Sequence, residues 1–284
     1  MRMKITEQQI AALESLTCER LSSNVSNLRE IEAFDNNRNE NLVYALKNQA
    51  FTEDEENSIA YYLVKDEDGD ILFYFSLKCG SLYDNYFNTE VFNLLKKLYS
   101  DLLERERAIL QKDDEDIDVI NELLEKLRSR KGIAKVDLER IKRKTKGTED
   151  FENILSEDMD KVGATFAGIE LVHFCSNTDK VWKCPDSHQK IGAIVFWYFI
   201  VPKVLAVMKL VGCEFLFLFA ADFTEDEELV NYYKTAMSFS EPQGKKTLMP
   251  LYDLSCKLLY QETSELERKR ADFFNNFNPD EGAV

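Results

Sequence analysis

The feature that most constrains the fold is a pair of short apolar runs that enclose a polar loop and a long apolar segment. Residues 168–175 (GIELVHFC) and 214–221 (EFLFLFAA) have the length and apolar content of buried strands. Between them lie a polar loop, residues 176–190, and a segment of helical length, residues 192–211, that stops before Gly212. A strand, loop, helix and strand in this order predict a crossover that joins two parallel strands.

A hairpin is predicted upstream of this crossover. Residues 58–64 (SIAYYLV) and 71–78 (ILFYFSLK) are strand-like, and the turn between them contains Asp68-Gly69, a dipeptide that favours positive φ. The second strand alternates only in part, which is typical of a central strand covered on both faces. Because helical and strand signals alternate along the chain, the sequence disfavours all-α and all-β folds.

Composition indicates a soluble globular protein. Of 284 residues, 44% are apolar and 31% charged, with only 10 Gly and 5 Pro, unlike a disordered or fibrous chain. A formal net charge of -16 disfavours a protein whose whole surface binds nucleic acid or an anionic membrane. No basic and apolar leader opens the chain, and six cysteines without a CxxC motif suit reduced thiols, so we expect a cytoplasmic protein.

The apolar run at residues 191–218 is not expected to cross a membrane. Pro202, Lys203, Lys209 and Glu214 interrupt it, whereas a bilayer requires about 20 consecutive uncharged residues. We therefore expect no membrane partner.

The character of the chain changes between residues 84 and 165, which are charged, helical in period and poor in Gly and Pro. This segment is predicted to be an inserted helical arm. The arm divides the main domain into an N-terminal part, residues 1–83, and a C-terminal part, residues 166–262. An amphipathic helix and a tail are expected at residues 263–284, with Ser264 and Glu267 as a capping box.

A basic run lies inside the arm. Residues 126–146 contain ten Lys or Arg and two acidic residues, Asp137 and Glu139, which is a local charge of +8. The run is predicted either to attract an acidic partner such as RNA or to be an ordinary solvated helical surface. It contains no aromatic residue, so stacking on bases is not supported.

Two local patterns carry candidate chemistry. At residues 189–193 (QKIGA) a loop enters a helix, where free backbone amides and the helix dipole favour a phosphate; an ordinary helix entry is the alternative. Residues 228–239 (ELVNYYKTAMSF) form an amphipathic helix that places Tyr232 and Tyr233 behind the second strand. A phenol there could protonate a leaving thiolate, since the two groups have nearby pKa values, or could simply pack.

Both histidines of the chain lie near cysteines. His173, Cys175, Cys184 and His188 have a spacing that could hold zinc, but the gap between the two cysteines is longer than in common zinc knuckles. We therefore interpret the cluster as coincidence in a strand and loop and predict no metal site.

The hairpin, the strand GIELVHFC, the QKIGA helix entry, the strand EFLFLFAAD and the tyrosine helix together resemble the GNAT superfamily of acyltransferases. The resemblance covers residues 1–83 and 166–260 and leaves the helical arm outside it. It implies an α+β fold, a three-layer α/β/α structure with a mixed central sheet, and an acyl-CoA-dependent activity. The cofactor would be acetyl-CoA or another acyl-CoA.

The resemblance also implies a set of cofactor-binding residues. The family's Q/R-x-x-G-x-G/A loop maps onto residues 189–194, in which Gln189 and Gly192 match and Ile194 stands where a second small residue is usual. The strand before the loop would lend backbone groups to the pantetheine arm. The residues concerned are Gln189, Lys190, Ile191, Gly192 and Ala193 in the loop and Val172, His173, Phe174 and Cys175 in the strand.

Catalytic roles follow from the same resemblance. Tyr233 would be the general acid toward the CoA sulfur, with Tyr232 as the runner-up, and Ser238 replaces the glycine that the family usually has there. Glu170 is the candidate general base. Strand alternation predicts that His173 shares a face with Leu171 rather than with Glu170.

The sequence thus predicts an acyl-CoA-dependent N-acyltransferase, with acetyl as the expected acyl group and an unidentified amine as acceptor. Two alternatives stay open. One is a catalytically inactive interaction protein with the same fold, for which Ile194 and Ser238 are the arguments. The other is an RNA-binding regulator that uses residues 126–146.

Overall fold

A computed structural model describes most of the chain outside the predicted arm. The described residues are 4–86, 162–222, 224, 226–242, 245–246 and 256–278. The basic run and the helices predicted for the arm lie outside them, as do residues 247–255.

Contacts divide the chain into two compact units. The larger unit consists of residues 1–80, 167–242 and 249–284, and the smaller of residues 81–166 and 243–248. In the smaller unit, the described residues are the distal ends of two long strands and a two-residue strand that pairs with one of them. The division at residues 84–165 that the sequence indicates stays a prediction.

The fold class expected from the sequence is confirmed: the protein is α+β, with a seven-stranded mixed sheet. The strand order is β1-β2-β3-β4-β5-β7, and β6 pairs with the far end of β3. Pairs β1–β2, β2–β3 and β5–β7 are antiparallel, whereas β4 and β5 are parallel, as the crossover predicts. The strands are β1 (Thr17–Arg20), β2 (Ala60–Lys65), β3 (Ile71–Tyr86), β4 (Val162–Ser176), β5 (Phe215–Ala220), β6 (Lys245–Lys246) and β7 (Lys257–Glu262).

Helices cover both faces of this sheet and form two separate cores. Along β3, Phe73 and Phe75 belong to a first core, and Tyr74, between them, to a second. Helices α1, α5, α6 and α7 pack into the first core; α3 and α4 pack into the second. The helices are α1 (Glu7–Glu14), α2 (Asn27–Glu30), α3 (Glu40–Asn48), α4 (Ala50–Glu55), α5 (Ile191–Leu210), α6 (Glu228–Met237) and α7 (Leu266–Asn275).

The predicted hairpin is present, but its second strand is longer than expected. Asp66 N–H donates to the Asp70 carbonyl across the turn, and Gly69 has a φ of +84°, the left-handed conformation that a glycine adopts without cost. Strand β3 continues to Tyr86 instead of ending at residue 78, and β4 begins at Val162 instead of residue 168. The added strand residues are largely polar or small, so hydrophobic patterning gave no signal for them.

Helix α5 is, among the described residues, the one helix with the length and apolar content to span a membrane. The core helix of a soluble protein meets the same criterion, and α5 supplies much of the first core. Its fully buried core residues are Ile194, Val195, Phe196, Trp197, Ile200, Val201 and Val204.

The middle of α5 is a π-helical turn, Phe196–Ile200, whose position follows from a proline. Pro202 has no N–H, and in a regular helix its ring would press on the carbonyl four residues earlier. In the observed turn the Val201 N–H donates to the Phe196 carbonyl, five residues back. The next hydrogen bond in that register would join the N–H of residue 202 to the Trp197 carbonyl. Because Pro202 has no N–H, the Trp197 carbonyl has no donor within the helix.

The last helix supplies the missing donor. The Nε of Arg270 in α7 donates to the Trp197 carbonyl at 2.8 Å. The Arg270 guanidinium also lies over the Phe274 ring, 5.2 Å from its centroid. One arginine of the C-terminal helix therefore compensates for the hydrogen bond that Pro202 removes from α5.

We predict that Arg270→Ala lowers the free energy of unfolding by about 2 kcal/mol, because a buried carbonyl loses a charged donor. Arg268→Ala is the matched control on the same helix: Arg268 is 62% exposed and, among the described residues, pairs with Glu265 and Asp272, so its loss should change stability by less than about 0.5 kcal/mol. Urea denaturation followed by circular dichroism measures both. Equal losses in the two variants would contradict the role of Arg270 at the π-helical turn.

Candidate functional site

The candidate site is organised around the point where β4 and β5 stop pairing. Their parallel ladder joins Gly168 to Phe215, Ile169 to Leu216 and Glu170 to Phe217. Beyond these pairs β4 runs on to residue 176 and β5 to residue 220, and no described residue of β4 after Glu170 pairs with β5. We call this region, residues 171–176 and 218–220, the β4–β5 gap. Strand backbone that has lost its partner can bind a ligand.

An aromatic ring lies at the base of the gap, and the sequence analysis missed it. The Phe217 ring occupies the space next to Gly80 and Gly168, where a Cβ on Gly168 would come within 2.8 Å of the Phe217 Cε1 atom. Both glycines therefore make room for one buried ring. A glycine inside a strand often marks such a close approach, which is the signal that could have indicated it.

Strand β4 changes the direction of its side chains between Leu171 and His173. The Glu170 carboxylate is 3.2 Å from Lys78 Nζ, and His173 Nδ1 is 2.7 Å from Ser76 Oγ. Ser76 and Lys78 are two residues apart on β3 and share a face, so Glu170 and His173 share a face as well. The prediction that His173 lies with Leu171, which belongs to the first core, is wrong, because one extra residue interrupts the alternation of β4.

Glu170 is buried and ionically paired. Its side chain is 9% exposed, and Lys78, at 37% exposed, is its partner. Lys78 was not predicted as a site residue. A carboxylate in this place can accept a proton from an amine, provided that Lys78 shares or releases it.

His173 is held inside the fold. Its ring stacks on Tyr61 with centroids 5.3 Å apart, and Ser76 Oγ contacts both its Nδ1 and its backbone N–H. Burial, with a smaller effect of Lys78, lowers the pKa of His173 to about 4. The side chain is neutral at physiological pH and has a structural partner, so any contribution to cofactor binding would come from its backbone.

The neighbouring strand residues have different environments. Val172 is half-buried. The Phe174 ring lies 4.6 Å from Phe73 and 6.2 Å from Tyr233 between centroids. Cys175 is buried, accepts a hydrogen bond from Asn36 Nδ2 at 3.3 Å, and has a pKa raised to about 12 by burial. This thiol is therefore an inert core group rather than a nucleophile.

The start of α5 presents backbone amides as predicted. Lys190 is the N-cap and supplies no side-chain cap, and the Ile194 N–H donates to the Lys190 carbonyl. The Tyr232 hydroxyl lies beside this first turn, close to Gly192. Within the described residues, the amides of Ile191 and Gly192 have no hydrogen-bond partner. Two free donors at the positive end of a 20-residue helix suit an anion.

The loop that leads into α5 is fixed by residues from both ends of the chain. The Gln189 side-chain amide donates to the Phe277 carbonyl at 3.0 Å, so this side chain is engaged away from the free amides. Gln9 in α1 donates to the Pro185 carbonyl at 2.9 Å and exchanges hydrogen bonds with Asn278. The helix start is thus held rigidly by contacts that no local motif indicates.

The two departures from the family pattern do not distort the site. Ile194 is fully buried in the first core, so its side chain points away from the free amides. Ser238 ends α6 in the left-handed conformation, with φ of +59° and ψ of +29°, the geometry a glycine would have there. The Phe239 N–H donates to the Tyr233 carbonyl across this turn.

Tyr232 and Tyr233 point to different places. The Tyr232 hydroxyl lies at the start of α5, near Gly192, where a Cβ would come within 2.8 Å of it. Tyr233 is 7% exposed, and within the described residues its hydroxyl has no hydrogen-bond partner. Burial, reinforced by Tyr232, Cys175 and Asp222, raises the pKa of Tyr233 well above its usual range. The Tyr233 ring lies 6.2 Å from the ring of Phe174, a residue of the gap, so the Tyr233 phenol is next to the gap.

The zinc alternative has no support in the described part of the chain. No group of three or more His, Cys, Asp or Glu side chains there could hold a metal ion. His173 and Cys175 are instead bonded to Ser76 and Asn36.

We predict that Ser238→Gly raises the free energy of unfolding by about 1 kcal/mol, because glycine adopts the left-handed conformation without the steric cost that a Cβ brings. Ser240→Gly, two residues further along the chain, is the control. Because Ser240 has no positive φ, this substitution should leave the stability unchanged or lower it. Thermal and urea denaturation of both variants give the comparison. Stabilisation by both substitutions, or by neither, would argue against strain at residue 238.

A second prediction concerns pH. The unfolded histidine has a pKa near 6.5 and folded His173 one of about 4, so between these values the unfolded state binds more protons and stability falls as pH decreases. Between pH 7.5 and pH 5, the wild type should lose about 2 kcal/mol more than His173→Gln. Because the chain has only 2 histidines, NMR can follow each ring directly, with His188→Gln for assignment. A His173 resonance that titrates near pH 6.5 would contradict the predicted loss of stability at low pH.

Comparison with known proteins adds only distant similarities. No protein-family model and no curated protein matches the chain. Solved structures similar to it include AtaTR bound with AcCoA (TM-score 0.48, 13% identity, 90% of this chain and 98% of that one), a KacTA-DNA complex (0.47, 14%, 90% and 99%) and a bacterial toxin (0.48, 8%, 89% and 94%).

Proposed function

We propose that this protein is an acyl-CoA-dependent N-acyltransferase of the cytoplasm, with acetyl as the acyl group and an amine as the acceptor. The observation that carries the proposal is the β4–β5 gap, a parallel pair whose ladder stops after Glu170 and Phe217. Next to it lie the amides at the start of α5 and the phenol of Tyr233, which have no hydrogen-bond partner in the part of the chain that the structure describes. A ligand with an anionic end, a polar extended arm and a reactive thioester fits this combination.

The fit can be followed along such a ligand. Its diphosphate would bind the free amides of Ile191 and Gly192 at the helix start, where the dipole and the donors act together. The amide-containing pantetheine arm would lie along the edge of residues 171–175 that does not pair with β5, in the way that a peptide adds to an open strand edge. The thioester would then reach the level of Glu170, where the strands come together.

Acyl-CoA supplies the activated acyl group. The bond that forms joins the acceptor nitrogen to the acyl carbon, and the bond that breaks joins that carbon to sulfur. Glu170 is placed to accept the proton released by the amine, directly or through water, and Tyr233 to protonate the departing sulfur. Since the pKa of Tyr233 is raised, the phenol stays protonated at any working pH and is always available as a donor.

The two residues that argued for an inactive protein, Ile194 and Ser238, do not support that alternative. Ile194 does not intrude on the amides, and Ser238 preserves the turn that follows the tyrosine helix. The RNA-binding alternative depends on residues 126–146, which lie outside the described residues. No observation at the site favours either alternative.

Binding of acetyl-CoA tests the proposal first. We expect isothermal titration calorimetry to give a 1:1 complex and a raised melting temperature. Failure of acetyl-CoA to bind at millimolar concentration would refute the proposal.

Tyr233→Phe tests the chemistry. Release of free CoA thiol in the presence of a panel of primary amines should fall by about 100-fold or more in this variant, because it lacks the acid, while acetyl-CoA affinity stays near that of the wild type. Tyr198→Phe, at a half-buried tyrosine of α5, is the matched control and should retain turnover. Unchanged turnover in Tyr233→Phe would remove Tyr233 from the mechanism.

A further inference from the structure

The carboxylate that the proposed reaction uses as its base already contacts an amine of the same chain. Lys78 Nζ lies 3.2 Å from Glu170 Oε2. A general base must have the nitrogen that it deprotonates within about 3.2 Å, so Lys78 occupies the position that an acceptor amine would have to take. Lys78 and an external amine therefore compete for the same carboxylate.

The strands around the pair hold it in this place. Glu170 pairs with Phe217 in the parallel ladder, so the two side chains lie on the same face of the sheet. The Phe217 ring also fills the space beside Gly80, which is two residues beyond Lys78 on β3. Because Gly80 has no side chain, Lys78 reaches Glu170 without an obstacle on β3, and an aromatic ring lies beside the carboxylate.

The pair lies at the inner end of the β4–β5 gap, where the proposed function places the thioester. The ladder stops at Glu170, and an acyl-CoA bound along residues 171–175 would bring its thioester to this level. Lys78 Nζ is within one hydrogen-bond length of the Glu170 carboxylate. An amine held in this way is an intramolecular reactant, whose effective concentration far exceeds that of a dissolved amine.

A second ion pair shows what distinguishes Lys78 from an ordinary surface lysine. Lys180 Nζ lies 2.6 Å from Asp70 Oδ2, and the Lys180 side chain is 43% exposed, compared with 37% for Lys78. The two lysines thus have similar exposure and the same kind of partner. Asp70 precedes Lys78 by eight residues, so about 25 Å of strand separates the two pairs. Lys180 therefore has a carboxylate but no thioester beside it.

We propose that Lys78 is a self-acetylation site, at which the protein transfers an acetyl group from acetyl-CoA to a lysine of its own chain. This inference rests on the proposed function. The Lys78 ammonium first passes a proton to the Glu170 carboxylate, and the freed lone pair of Nζ attacks the thioester carbon. A bond forms between Nζ and the acyl carbon, the bond between carbon and sulfur breaks, and its electron pair leaves with the sulfur.

The Lys78 nitrogen loses two protons in this reaction. One leaves through Glu170 to solvent, and the other replaces, through water, the proton that Tyr233 gives to the sulfur. The products are an uncharged acetyl-lysine and the CoA thiol. Acetylation therefore removes the cation that pairs with Glu170.

The test incubates the wild-type protein with isotopically labelled acetyl-CoA, without any added amine, and locates acetyl groups by peptide mass spectrometry. We expect Lys78 to be acetylated about 100-fold faster than Lys180, because only Lys78 has a base at the thioester. The rate per chain should not depend on protein concentration, since the transfer occurs within one chain. Lys78 is scored as acetylated whichever isotope it carries, so modification during expression is included.

Two variants identify the chemistry. Glu170→Gln should slow the acetylation of Lys78 about 100-fold and leave that of Lys180 unchanged. Lys78→Arg keeps a cation beside Glu170 and should remove the fast acetylation from the intact-mass spectrum. An affinity for acetyl-CoA near that of the wild type shows that each variant keeps its fold and its cofactor site. The comparison of Lys78 with Lys180 inside the wild type requires no variant.

The possible results distinguish this inference from the proposed function. Failure of acetyl-CoA to bind would refute both. Binding with Lys78 modified no faster than Lys180 would overturn the self-acetylation alone, and transfer to an added primary amine would then still support the proposed function. An unchanged rate at Lys78 in Glu170→Gln would indicate chemical acetylation, and a rate that rises with protein concentration would indicate transfer between chains. Either result would also contradict self-acetylation.

Discussion

The parallel pairing of β4 with β5 is the constraint on which the rest of this structure depends. Three residue pairs hold the strands together, and the Phe217 ring is accommodated at their end by Gly80 and Gly168. A parallel pair requires a crossover, and here that crossover is the loop and helix whose first turn presents the free amides. The gap and the start of α5 are therefore two consequences of one connection, which is why they lie next to each other.

The crossover helix carries a defect that the end of the chain corrects. Pro202 removes a donor, the helix widens into a π turn, and Arg270 provides the replacement. Gln9 and Asn278, from opposite ends of the chain, fix the loop before the same helix. Since a site built from backbone amides is only as precise as the backbone that holds them, these distant contacts determine the geometry at the helix start.

Sequence reasoning succeeded where the physics is local. The hairpin turn at Gly69, the crossover and the boundaries of α5 follow from periodicity and turn chemistry within short windows. It failed where the local structure depends on a partner that is distant in sequence. The interrupted alternation after Glu170 depends on how β4 lies on β3. The predicted capping box at Ser264 is replaced by a 3₁₀ turn before α7. Lys78 becomes a site residue only through its ion pair with Glu170.

The two adjacent tyrosines show how helix geometry separates chemical roles. Consecutive residues of a helix point about 100° apart, so one phenol of α6 can meet the start of α5 while the next lies against Phe174 beside the gap. The sequence suggested a phenol matched in pKa to a thiol, but burial moves the pKa of both tyrosines upward. A raised pKa makes a phenol a weaker acid and a dependable hydrogen-bond donor. Each tyrosine therefore holds a protonated O–H group in a different place, Tyr232 at the start of α5 and Tyr233 beside the gap.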